Sequence, residues 1–358
     1  MIRTTDLASR LRDSRPAEPP SAELRPRRPY PDGWFAVAFT EELSPGRMLR
    51  RRFMGEELVV YRTRRGLVRA VEPYCPHLGA HLGHGGWVDG EDIVCPFHHF
   101  AFDTDGMCVR TGYGTRPPAA RLVRREVREV NGAVLVWHHA GGVPPTWEVA
   151  PQDAAAFPAP FRQLSVLVDH PQDVVENAVD LGHIGPVHGY RNVRLRRRFT
   201  PHGPSFAIAA AGERQLPFGG RLGIEFDIVV HGLGHLWVDA AIPRLSAAAK
   251  FQAMATPIDP CRVELRYSVA LRVGEGAAHA HTWALASRLL TGALGPLFRR
   301  DMERDFPIWE HKVYVERPRL AKGDGPLPEF RRWARQFYSA PATTDASAAR
   351  RPELSVVR

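Results

Sequence analysis

Cys75-Pro76-His77 is followed, after seventeen intervening residues, by Cys95-Pro96-Phe97-His98, so two segments each offer one thiolate and one imidazole. A [2Fe-2S] cluster with two cysteines on one iron and two histidines on the other needs this donor set. Its neutral imidazoles raise the reduction potential above that of an all-cysteine cluster. Tetrahedral zinc also takes two cysteines and two histidines, but zinc-finger spacing pairs like with like, whereas each pair here is mixed. Gly79, Gly83, Gly85 and Gly86 suit tight loops around sulfur, and Pro76 and Pro96 restrict the chain beside each cysteine. His81 and His84 fall outside the spacing, and His99 is a rival to its neighbour His98. Cys108 and Cys261 read as small core residues.

A second constellation begins at Glu176-Asn177-Ala178-Val179-Asp180-Leu181-Gly182-His183 and runs on to His188. Asp180 and His183 are three apart and would share a helix face, while Gly185-Pro186 breaks the helix and lets His188 turn back toward the same point. Two histidines and one carboxylate that leave coordination positions open make the facial triad of Fe(II) sites that activate O₂. Alone, this spacing arises by chance in a few of every hundred such sequences, roughly; its weight comes from standing beside the first pattern.

The elements that must carry these groups divide the chain. Its 358 residues, 44% hydrophobic and 24% charged, suffice for about two domains. Residues 1–28 are rich in Pro, Arg and Ser without apolar periodicity and read as a disordered tail with no secretory or organelle signal. Residues 29–142 hold short alternating runs, such as Glu57 to Tyr61 and Ala133 to Trp137, separated by turn residues, and read as an all-β module. Residues 143–160 contain five prolines and read as a linker. Residues 161–339 open with a helical stretch around Asp173 to Leu181. Alternating segments follow, Leu222 to Val230, Leu236 to Ala241, Ala248 to Thr256 and Arg262 to Val273, which predict an antiparallel sheet. Trp283 to Tyr314 has helical periodicity that Pro296 and Pro307 should kink or split, and residues 340–358 form a second polar tail. The fold class expected is α+β.

The Cys75 to His98 segment resembles the Rieske domain of ring-hydroxylating and related non-haem iron oxygenases, and Trp34, Asn131-Gly132 and Trp137 stand where such domains carry similar residues. The resemblance implies a Rieske [2Fe-2S] cluster on Cys75, His77, Cys95 and His98, followed by a helix-grip, START-like catalytic domain with a mononuclear Fe(II). It assigns His183 and His188 to that iron, gives Asp180 the role of passing the electron by hydrogen bonding a histidine ligand, and takes the third ligand from the Asp-x-x-Ile-Trp pattern at Asp305. Asp301 and Glu303 are the rivals for that place. One departure stands out: relatives commonly have glycine and tryptophan after the last cluster histidine, where this chain has His99 and Phe100. Pro144 to Val149, Ile308 to Lys312 and Phe330 to Tyr338 resemble the branch of 3-ketosteroid 9α-hydroxylase oxygenases and cholesterol 7-desaturases, which implies a bulky, steroid-like substrate.

No flavin or nicotinamide fingerprint is present, so electrons must come from a separate NAD(P)H-dependent reductase or ferredoxin. The resemblance further implies a head-to-tail homotrimer. Four cysteines are too few for a disulfide scaffold and fit a reducing compartment, the cytoplasm. No apolar run is long enough to span a membrane. The formal charge is +9, but 45 of the 48 basic residues are arginines scattered along the chain, which argues against nucleic acid. The densest group, Arg191, Arg194, Arg196, Arg197 and Arg198, suits either a solvated face or an acidic protein partner.

Overall fold

The computed structural model describes residues 28–215, 219–274 and 280–340. The two tails lie outside the described residues except at their inner ends, Arg28 and Ala340. The first domain is built from three small antiparallel sheets. Gly33–Phe39 pairs with Ala133–His138, which pairs in turn with Val127–Val130 and leads the chain toward the second domain. Met48–Phe53, Glu56–Arg62 and Val68–Val71 make a meander that Arg124–Arg125 extends. The third sheet, Trp87–Asp89, Asp92–Val94, Ala101–Phe102 and Cys108–Arg110, supports the loops that hold the Cys–His pairs. Its strands have only two or three residues, so the loops between them are stiffened by buried apolar side chains such as Leu82, Ile93 and Phe102.

The second domain is a seven-stranded antiparallel sheet. Its strands from Tyr190–His202 to Arg262–Val273 follow one another as hairpins, and Phe161–Leu167 closes the far edge beside Arg262–Val273. Side chains alternate across a strand, and both faces are used. On Ala247–Asp259, Phe251, Ala253 and Ala255 face the helices. Gln252, Met254 and Thr256 face the first domain: Thr256 Oγ1 donates to the Ala36 carbonyl (2.6 Å), Gln252 Nε2 donates to the Asn131 carbonyl (3.0 Å), and Met254 packs with Trp34. Arg266, fully buried at this junction, donates to the same Ala36 carbonyl (3.1 Å) and pairs with Glu264 at 2.7 Å. The segment 143–160 has no strand or helix. Its Trp147 lies between the domains, its carbonyl accepting from Trp34 Nε1 at 2.8 Å.

Among the described residues, four α-helices cover the sheet face away from the first domain: α1 (Pro171–Glu176), α2 (Ala280–Met302), α3 (Phe306–His311) and α4 (Leu327–Ala334). α1 is shorter than the periodicity implied. It ends at Glu176, and Asp180 and His183 come together in the turns beyond it. α2 continues through Pro296, because Pro296 and Gly292 are both exposed and water can take the Gly292 carbonyl that the ring leaves free. The split expected near Pro307 does occur, since that proline opens α3. α4 buries Phe330 and Trp333 beside Phe206, and its Arg331 forms a bidentate pair with Glu176 of α1, at 2.7 and 2.8 Å. The arginine-rich segment is the edge strand Tyr190–His202. There Arg196 and Arg197 pair with Glu225 and Asp227 of the neighbouring hairpin. Among the described residues no helix is long and apolar enough to cross a membrane.

Candidate metal centres and cavity

Two loops of the first domain are each closed by their own main-chain hydrogen bonds. Gly79 N donates to the Cys75 carbonyl and His99 N to the Cys95 carbonyl, so each Cys–His segment is a tight turn. Cys75 and Cys95 are buried free thiols. Burial, opposed by the His77 N–H and reinforced by Cys95 alongside, pushes the Cys75 thiol up to about 11. Cys75 and Cys95 are close enough to act on one another electrostatically, so the two sulfurs form an adjacent buried pair that, as thiolates, would suit a cationic centre. The half-buried His77 and His98 rings lie 4.9 Å apart. His99 turns away: it adopts φ +54°, in the region natural to glycine, and its exposed ring sits edge-on against Trp87. Phe100 is buried and stacks flat on His77, centroids 4.2 Å apart. His99 and Phe100 thus place a residue with positive φ facing Trp87 and an aromatic plate against the His77 ring.

In the second domain His183, His188 and Asp305 converge, each offering a ligand atom within 4.8 Å of the others. Asp180 shapes the turn before His183: its Oδ1 accepts from the Gly182 and His183 N–H groups at 3.0 and 3.3 Å. His183 Nδ1 lies 2.5 Å from the Asp180 main-chain carbonyl, which makes Nδ1 the protonated nitrogen and leaves Nε2 free to bind a metal. The Asp180 carboxylate itself is farther from that nitrogen, 3.7 Å. Burial lowers the His183 pKa and favours the neutral ligand form. The next turn, in which Val187 N donates to the His183 carbonyl, brings the His188 ring within 5.3 Å of His183.

Asp305 is buried at the start of α3, with an oxygen 3.2 Å from His188 Nε2. Asp301, one turn earlier on α2, lies on the other side of the ring, 3.7 Å from His188 Nδ1, and is gripped by both terminal nitrogens of Arg214 at 3.1 Å. Glu303 points elsewhere and pairs with Arg299. Burial opposes charge on His188, but Asp301 and Asp305 outweigh it and lift its pKa to about 9. Positive charge is therefore favoured strongly between these carboxylates, which is the electrostatic condition for holding a cation. Arg214 was not foreseen from sequence, because no local spacing links it to Asp301.

Above these residues opens a cavity of about 190 Å³. One end is made by His183, His188 and Asp305. Apart from Asn177, Tyr190 and Asp301 the rest is apolar, with Phe226, Ile228, Leu236 and Phe251 from the sheet and Phe298 and Met302 from α2. These sheet residues fall on every second position of their strands, which explains why residue type alone did not distinguish lining from packing.

Comparison with known proteins settles the family. Residues 136–338 match the 3-ketosteroid 9alpha-hydroxylase C-terminal domain, and residues 33–120 match the Rieske [2Fe-2S] domain. The chain belongs to the Rieske oxygenases of the 3-ketosteroid 9α-hydroxylase type. Within this Rieske oxygenase family, it is 31% identical to cholesterol 7-desaturase nvd of Bombyx mori over 342 residues, covering 90% of this chain and 73% of the relative. It is 28% identical to a probable 3-ketosteroid-9-alpha-monooxygenase oxygenase component of Rhodococcus rhodochrous, covering 87% and 81%. Solved structures share the fold: dicamba monooxygenase, 20% identical with a TM-score of 0.64, covering 86% of this chain and 96% of that one, and NdmA of Pseudomonas putida with caffeine, 18% identical with a TM-score of 0.63, covering 84% and 89%. A Rieske-type [2Fe-2S] cluster is thus the family's group for the first domain.

Proposed function

We propose that this Rieske oxygenase is a terminal oxygenase that hydroxylates or desaturates a bulky apolar, steroid-like substrate with O₂. Cys75, His77, Cys95 and His98 hold the [2Fe-2S] cluster, and His183, His188 and Asp305 hold a mononuclear Fe(II). When bound, the cluster supplies electrons singly and the iron provides open positions at which O₂ is activated. The protein supplies the rest. Asp180 locks the His183 tautomer, Arg214 and Asp301 hold His188 from behind, and the apolar walls exclude water and hold a C–H bond toward the metal end. The observation that carries the reading is the two-histidine, one-carboxylate group lining a largely apolar cavity, in a chain that also has paired Cys–His loops.

Within one chain the seven-stranded sheet stands between the Ala36 strand of the first domain and the cavity. This supports electron delivery between neighbouring subunits of a head-to-tail trimer, the His77–His98 edge of one facing Asp180 of the next. Exposed Tyr74, Leu78, Phe97 and Tyr113 around the cluster loops suit such a docked edge. The electron source is a separate reductase or ferredoxin in the cytoplasm. A smaller aromatic or other secondary metabolite is the second substrate reading, favoured by the cavity's modest volume. An electron carrier or lipid-binding module without catalysis is a reading of another class, and iron analysis separates it: three irons per chain for the oxygenase, two for the carrier. The decisive test is turnover of the reduced, reconstituted protein with sterols, 3-ketosteroids and small aromatics, reading product mass. Gain of oxygen or loss of two hydrogens from a steroid supports the proposal; reaction of aromatics alone rejects the steroid assignment.

A further inference from the structure

The outer face of α2 is apolar and uncovered. Leu285, Leu289, Ala293 and Leu297 recur every fourth residue and form one row on the helix, with the three leucines 59%, 65% and 55% exposed. Trp283 and Leu294 flank the row and are also exposed. The buried side, Ser287, Thr291 and Gly295, is polar or small: Ser287 and Thr291 accept from the Val273 and Leu271 N–H groups, and Gly295 lets α2 lie directly on Phe161. This inverts the usual arrangement of a surface helix. From Ala280 to Arg300 there is no acidic residue, whereas Arg288 and Arg300 are exposed and have no ion pair among the described residues. The same helix ends in Phe298, Asp301 and Met302, which line the cavity.

We propose that α2 docks this enzyme on an anionic bilayer surface, with the leucine row in the acyl boundary, Trp283 at the interface and Arg288 and Arg300 on lipid headgroups. A second copy of the chain would also cover apolar area, but the complete absence of acids over twenty-one residues beside unpaired arginines matches a surface of one sign. Docking there sets the cavity, whose wall α2 forms, next to the phase in which an apolar substrate dissolves. The docking surface stands without the substrate assigned above; only its use in delivery rests on that reading.

The test is sedimentation of the full chain with vesicles of phosphatidylglycerol and phosphatidylcholine, without substrate. Binding to mixed vesicles, loss of roughly tenfold in partitioning for each of Leu285→Asp and Leu289→Asp, and weakened binding of Arg288→Glu/Arg300→Glu to anionic but not neutral vesicles are expected. The charge variant leaves the leucine row intact, so it reports even where an aspartate perturbs folding. Turnover of substrate presented in cyclodextrin stays unchanged in all variants. Failure of the wild-type protein to bind either vesicle overturns the proposal. So does a leucine variant that dissociates the oligomer in sedimentation velocity, since the face would then belong to another copy. Because vesicle binding is read without turnover, failure of the steroid assignment leaves it standing, and the converse also holds.

Discussion

The Phe100 ring lies face to face on the His77 imidazole, with centroids 4.2 Å apart and planes 8° from parallel. Phe100→Leu keeps apolar volume and loses the plate, worth about 1 kcal/mol for a stacked aromatic pair. The cluster should bleach under chelator roughly fivefold faster, followed by visible absorbance, and Phe100→Trp should restore the wild-type rate. Equal bleaching of Phe100→Leu and wild type would show that the stack does not hold the histidine.

Asp305 and Asp301 are separable by iron content. Asp305→Ala should lower iron from three to two atoms per chain and abolish turnover while the cluster spectrum persists. Asp301→Asn removes the charge behind His188 and should weaken mononuclear iron binding by roughly 10–100-fold without abolishing it, read by metal titration. Glu303→Ala should change neither, since Glu303 faces Arg299.

Gly325 packs against the Val179 carbonyl and the Leu181 N–H, on the far side of the Asp180 turn, at φ +90°. An added methyl must push that turn. Gly325→Ala is expected to cost more than about 1 kcal/mol in urea denaturation and to lower mononuclear iron loading together with stability. Loss of stability with full iron loading would place the strain elsewhere.

The Glu176–Arg331 pair ties α1 to α4 in a buried setting. Removing one member leaves the other uncompensated, so Arg331→Met should destabilise by about 3–5 kcal/mol, while the double variant Glu176→Leu/Arg331→Met should recover most of the loss. Denaturant midpoints of the three variants, including Glu176→Leu, form the cycle that checks this.

Stability should fall in acid because of buried neutral histidines. Burial lowers His170 to about 3 and His235 to about 4, from an ordinary value near 6.5. The unfolded chain then takes up protons the folded chain refuses, so their contribution is full above about pH 6.5 and is lost progressively as pH falls toward those lowered values. Urea midpoints at pH 7.5 and 5.0 should differ in that sense, and His235→Asn should flatten the slope. A midpoint that rises on acidification would contradict the assignment.

Local chemistry was legible before the fold. The Cys75–His77 and Cys95–His98 pairs, the His183 and His188 spacing, and the alternating strands of the sheet are short-range patterns, and a donor set or a period of two needs only neighbours to be read. Helix limits were read less well. Apolar periodicity ran past Glu176, but the Asp180 side chain competes for main-chain N–H groups and makes a turn instead, and Pro296 is tolerated because its freed carbonyl meets water.

The sequence by itself pointed to the two candidate donor sets, because thiolates, imidazoles and carboxylates carry their chemistry wherever they stand. The Asp-x-x-Ile-Trp pattern pointed to Asp305, and the tertiary structure shows how it and its rival Asp301 are placed on opposite sides of His188. Asp301 and Asp305 are a turn apart on one stretch of chain, and it is the grip of Arg214, brought from a distant strand, that holds Asp301 behind the ring while Asp305 is buried at its front. Folding likewise gave the strand Ala247–Asp259 two faces with two purposes, the cavity and the domain junction, since a pleated strand sends successive side chains to opposite sides and only the packed partners give those sides different meanings.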